Sequence, residues 1–102
     1  MGRRTYKIDP ITVNEEIYTE VVIDSHYELK HSGHINDELI LSLVLLLNGA
    51  EQLPEDTKGP FNYYTTIIEF KNKAYRLVWL LEDGKLYIGV VNTFRDSKGE
   101  LQ

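Results

Sequence analysis

From Glu16 to Asp24 the chain alternates: Ile17, Thr19, Val21 and Ile23 interleave with Tyr18, Glu20, Val22 and Asp24. That period of two over a β-branched run predicts a strand. The next apolar segment reads differently. Leu39 to Leu47 is apolar apart from Ser42, with Asn36 placed to cap a helix, Asp37 and Glu38 in its first turn, and Gly49 suited to ending it. A helix over 37–48 without a polar stripe is buried on two sides or forms a dimer seam. Ala50 to Pro60, with Pro54, Gly59 and Pro60, reads as a connecting loop. Three strands follow: Asn62 to Lys71, Ala74 to Glu82 and Lys85 to Phe94, joined at Asn72-Lys73 and at Asp83-Gly84.

Taken literally, those two turns fix a register. Tyr64, Thr66, Ile68, Phe70, Tyr75, Leu77, Trp79, Leu81, Leu86, Ile88, Val90 and Asn92 then share the face under the helix. Glu69, Arg76, Tyr87, Thr93 and Arg95 share the other, with Glu69 directly across from Arg76. The lead, residues 1–14, is polar and reads as a loose N-terminal arm or an edge strand; residues 97–102 form a polar tail. The pattern predicts one α+β domain over 15–96. Its architecture is a twisted antiparallel sheet of about four strands packed on one long helix, in the order β-(short α)-α-β-β-β.

Composition sharpens the functional question. With 102 residues the chain is long enough to bury a core without staples. It has no cysteine, so thiol chemistry, disulfides and cysteine-ligated zinc are unavailable, and a reducing compartment fits. No apolar stretch is long enough to span a bilayer and no signal peptide precedes the fold, which makes a cytoplasmic protein with no membrane partner the expectation. Net charge is −5, from 11 Lys and Arg against 16 Asp and Glu. An acidic chain lacks the global positive field that steers nucleic acid, although Lys71, Lys73 and Arg76 cluster at one turn.

The candidate chemistry lies between the first strand and the helix. His26, His31 and His34, all the histidines of the chain, fall within nine residues, with Lys30 among them. If this stretch is helical, His26 and Lys30 share a face at i,i+4, and Tyr27, His31 and His34 line up at i, i+4 and i+7. An imidazole beside an ammonium suits phosphate-ester chemistry: one moves a proton, the other stabilises charge on the phosphorane oxygens. His34, near a helix N-terminus, is favoured in its neutral form. Surface or capping histidines in a polar connection are the plain alternative. His31 and His34 with a carboxylate suggest a metal site, but His-x4-His-x2-His matches no common zinc signature, so no metal or other cofactor is expected. A second constellation closes the last strand. Thr93 and Arg95, with Arg76 and Glu69 nearby, could orient a phosphate, while Tyr63 and Tyr87 are the tyrosines left over as stacking platforms.

Taken together, Ser25-His26, Lys30 four positions on, a helix opening near Ile35-Asn36-Asp37-Glu38-Leu39-Ile40, three strands and a closing Val91-x-Thr93-x-Arg95 resemble a known group. It is the barnase–EndoU–colicin–RelE superfamily of small ribonuclease toxins, in particular its RelE-like domains of unassigned function. The resemblance covers residues 17 to 96. It implies a metal-independent endoribonuclease working by 2′-hydroxyl attack. His26 would be general base or acid, Lys30 and Arg95 phosphate stabilisers, Thr93 a positioning hydroxyl and His31 a reserve catalytic candidate; Arg76 and Tyr87, from the strand-face pattern, are the residues expected to bind RNA or phosphate. Acidity favours a different class, a non-catalytic interaction protein of the immunity, antitoxin or phage-accessory kind, engaging a basic protein partner and assembling through the helix.

Overall fold

The structure, a computed structural model, describes residues 2–25 and 35–96. Its elements are β1 (Arg3–Val13), β2 (Glu16–Asp24), α1 (Asp37–Leu45), β3 (Asp56–Lys58), β4 (Phe61–Phe70), β5 (Lys73–Glu82) and β6 (Ile88–Arg95). They form a six-stranded mixed sheet in the order β1-β2-β6-β5-β4-β3. This corrects the expected four-stranded antiparallel sheet on one long helix. The helix has nine residues, and β2 and β6 run parallel. A parallel pair needs a long crossover rather than a turn, so no local turn signal reveals it.

Of the two readings of the lead, the edge strand is the one that forms. β1 pairs antiparallel with β2 from Arg3↔Asp24 to Val13↔Glu16, with an irregularity between Lys7 and Ile11 where Pro10 falls. The joining turn is Asn14-Glu15, both at positive φ (50° and 70°), the backbone of a type I′ hairpin.

Both later hairpins close two residues away from the expected register. β4 and β5 turn at Lys71-Asn72 (φ 53° and 68°), so Phe70 faces Lys73 and Ile67, not Glu69, faces Arg76. β5 and β6 pair from Leu81↔Ile88, leaving 83–87 as a longer loop with Leu86 60% exposed instead of buried. A shift of two preserves the faces. A bulge then reverses them: Trp79 faces Val90 but Val78 faces Asn92, so Val91 is an extra residue.

α1 lies on one face of the sheet. Asn36 caps it by accepting from the Leu39 amide at 2.8 Å, and Ile40, Leu43 and Val44 point into the core. The helix ends at Leu45. Leu46 and Leu47 bond back three residues to Leu43 and Val44, and Gly49 adopts φ 88° only after that tightened turn. Leu45 and Leu46 face outward. Under the helix, Val21, Ile23, Leu77, Trp79 and Ile88 are wholly buried. Trp79 stacks on Tyr64 with ring centroids 4.2 Å apart, and its Nε1 donates to Thr66 Oγ1, which donates in turn to Gln52 Oε1. No helix among the described residues lies over the opposite sheet face. No helix among the described residues is long and apolar enough to cross a membrane.

Candidate functional site at the ends of β2 and β6

The parallel register places the two chemically interesting stretches side by side. Ile23 pairs with Val90. Ser25 lies two residues beyond Ile23, and Thr93 three beyond Val90 with one of those taken up by the bulge. The chain therefore leaves β2, just before His26, at the level where β6 presents Thr93 and Arg95. It re-enters the described structure at Ile35, which is buried against the core, and starts α1 there. His26, Lys30, His31 and His34, and the short helical turn expected around them, lie outside the described residues. Among the described residues no group of His, Asp and Glu is placed to hold a metal ion.

The bulge decides what β6 shows to each side. Thr93 pairs with Leu77 and Arg95 with Tyr75, so both lie on the helix-covered face, contrary to the face expected for them. Thr93 is completely buried, and its Oγ1 has no hydrogen-bond partner among the described residues. The Arg95 guanidinium lies 5.9 Å from the centroid of the Tyr75 ring, a cation–π contact. Arg76 and Phe94 pair with each other on the face away from α1. There Arg76 Nη2 reaches Asp96 Oδ2 at 3.4 Å, a carboxylate the sequence reading did not single out. Asp96 is nearly buried, and its amide donates to the Ala74 carbonyl. Nothing local in the sequence marks it, because its burial follows from the bulge.

Beside Tyr75, a cavity of about 380 Å³ opens between the first turn of α1 and the β4–β5 turn. Lys71 and Lys73 enter it from the turn, and Asn36, Glu38 and Ser42 from the helix. Two ammonium groups and a helix start, against the single carboxylate of Glu38, give this recess a positive balance in an otherwise acidic protein. The clustering of Lys71 and Lys73 was visible in the sequence; their meeting with the helix start was not. Asp37, which would cancel some of that charge, is turned toward Arg4 and Tyr6.

Tyr87 does not join this group. It precedes β6, at the strand's other end, and lines a small recess of about 60 Å³ with Arg3, Val22, Phe61 and Leu80. Its hydroxyl donates to Glu82 Oε1 at 2.7 Å, and burial, reinforced by that carboxylate, pushes its phenol up to about 12. A phenol held by a carboxylate is a poor phosphate contact. The structure thus brings Thr93 and Arg95 to the exit of β2, sends Arg76 to the opposite face and leaves Tyr87 at the far end. Comparison with known protein families, curated proteins and solved structures finds no match.

Proposed function

We propose that this protein is a small metal-independent ribonuclease of the toxin type, with its site on the helix-covered side where β2 and β6 end. The observation that supports this reading is the parallel β2–β6 register, because it ends β2, the strand that precedes His26 in sequence, at the level of Thr93 and Arg95. Open α/β sheets bind ligands where parallel strands end at their carboxyl termini, which favours the same location. In this reading His26 takes the proton from a ribose 2′-hydroxyl as O2′ attacks phosphorus. His31 returns a proton to the departing O5′, giving a 2′,3′-cyclic phosphate and a 5′-hydroxyl end. Lys30 and Arg95 carry the charge that grows on the phosphorane oxygens, and Lys71 and Lys73 hold a neighbouring phosphate. Thr93, being buried, acts on the site by positioning the chain around it rather than by touching RNA.

A second reading, a non-catalytic interaction protein, draws on the net charge of −5 and on the sheet face away from α1, where Tyr63, Val78, Leu80 and Phe94 are only half-buried. Induced expression separates the two. The wild type should arrest growth and fragment RNA into pieces with cyclic phosphate ends; His26→Ala should do neither, and Lys71→Ala with Lys73→Ala should cleave more slowly with raised KM. Equal growth and intact RNA for all three proteins would replace the nuclease reading with the interaction one.

A further inference from the structure

At the opposite end of β2 from the histidine stretch lies a cavity of about 450 Å³, between the Asn14-Glu15 turn and the loop after β5. Its wall includes two tyrosines that belong to the core, Tyr18 and Tyr64, only 4% and 5% exposed. The Tyr18 hydroxyl makes no hydrogen bond to a described residue and is not sealed in the core, so it opens on the cavity that Tyr18 lines. The Tyr64 hydroxyl accepts a long contact of 3.4 Å from Asn14 Nδ2. Burial raises both phenols; Glu16 and Tyr64 add to the effect at Tyr18, and Asp83 adds to it at Tyr64.

Around the mouth stand Glu16, Glu82 and Asp83. Asp83 Oδ1 is held by Asn62 Nδ2 at 2.9 Å, and Glu82 by the Tyr87 hydroxyl, so both carboxylates are fixed by neutral donors. None of the three has a salt bridge to a described cation. Lys85, also at the mouth, is exposed and makes no ion pair with a described carboxylate. The arrangement presents three carboxylates against one ammonium at the rim, with the Tyr18 and Tyr64 phenol oxygens and rings behind it.

We propose that this cavity is a binding site for an organic cation, an alkylammonium or guanidinium group, with its N–H donors directed to the Tyr18 and Tyr64 hydroxyls and its charge met by Glu16, Glu82 and Asp83. Such a head accepts nothing and donates three to five hydrogen bonds, which suits phenol and carboxylate oxygens that keep spare acceptor capacity. The carbon stem packs on Leu81 and Leu86, which line the same space. The site is separate from the proposed nuclease site and does not depend on it.

Trp79, the single tryptophan, stacks on Tyr64 and reports on the cavity through its fluorescence. The full chain should be titrated with n-butylammonium, ethylguanidinium, spermidine, and blocked lysine and arginine amides, with n-butanol as the neutral control. A saturable change is expected for the cations and none for butanol, with Tyr18→Phe and Asp83→Asn each weakening binding about tenfold. Lys85→Ala should tighten it. Stronger binding of the free amines would assign a small-molecule ligand, and stronger binding of the blocked amides a peptide side chain. No saturable response to any cation, or unchanged affinity in both weakened variants, overturns the proposal; Asp83→Asn, at an exposed position, keeps the test valid if Tyr18→Phe melts early.

Discussion

Arg4 grips Asp37 with two of its nitrogens, Nε at 2.5 Å from Oδ2 and Nη2 at 2.8 Å from Oδ1, and so ties the edge strand to the first turn of α1. The Tyr6 hydroxyl donates to the same carboxylate, and that bond raises its phenol's pKa. The pair is bidentate and its acid is largely sheltered, which lifts it above an ordinary surface ion pair. Asp37→Ala should therefore cost about 1–2 kcal/mol, with Arg4 partly solvated and able to recover some of the loss. Chemical denaturation of Asp37→Ala beside Asp37→Asn would measure it; a change below that of a typical exposed pair would mean that the anchor is decorative.

Thr66→Val should be more damaging than its small change of shape suggests. The Thr66 hydroxyl is the acceptor for Trp79 Nε1, and Trp79 is completely buried. Stranding an indole N–H in the core costs about 1–3 kcal/mol. Thr93→Val has the opposite sign, because the Thr93 hydroxyl is buried with no described partner. Its removal should leave the melting temperature unchanged or raised. A clear loss of stability in Thr93→Val would place a partner for that hydroxyl in the stretch 26–34.

Gly89 faces Leu80 across the β5–β6 pair, and a Cβ built there would meet Leu80 Cδ1 at 2.8 Å. Leu80 is only half-buried and the close atoms belong to its flexible side chain, so Gly89→Ala should be mild and Gly89→Val should cost about 1–3 kcal/mol. In a double-mutant cycle, Leu80→Ala should relieve much of the Gly89→Val cost, a coupling of at least about 0.5 kcal/mol. Additive effects would show that the strain lies in the backbone instead.

Stability should decline in strong alkali partly because of Tyr87. Its folded pKa is about 12 against an ordinary value of 10.0. Below the ordinary value both states keep the proton and the contribution is complete. As pH rises from there toward the folded value, unfolding releases a proton and the native state loses ground. Because the group is partly solvated, the loss is on the order of 1 kcal/mol. Absorbance titration of phenolate in Glu82→Gln should show one tyrosine ionising at lower pH than in the wild type.

The β4–β5 turn offers a local test. Asn72 sits at φ 68°, the second central position of a type I′ turn. Asn72→Gly should stabilise by about 0.5 kcal/mol, whereas Asn72→Val should cost about 1–2 kcal/mol. Both read out as shifts in denaturation midpoint.

Much of the sheet was legible because hydrophobic alternation survives small errors of turn placement. Both hairpins close two residues away from the expected register, yet Tyr64, Ile68, Leu77, Trp79 and Ile88 still lie under the helix. The single bulged residue at Val91 does not have that property. It carries no side-chain signature, and it exchanges the faces of Thr93 and Arg95 for those of Asn92 and Phe94. β1 was hard to recognise because Arg3, Thr5 and Lys7 make its outward side polar and Pro10 interrupts its pattern, although Tyr6, Ile8, Ile11 and Val13 pack on the core. The helix was overestimated because Leu46 and Leu47 continue the apolar run, while their backbone has already tightened into single turns. Parallel pairing of β2 with β6 depends on contacts between distant segments, which no window of sequence contains.

That late-made strand sits between two early partners, β2 on one side and β5 on the other. During synthesis on a ribosome, the β1–β2 hairpin and the β3–β4–β5 meander would emerge as separate pieces, touching through Asn14 and Tyr64 but sharing no strand pairing. Final closure must wait for residues 88–95 to clear the exit tunnel, so a nascent chain stalled before that point holds two unjoined half-sheets. Supplied in trans, a peptide of those residues should convert such a truncated chain into the native protein.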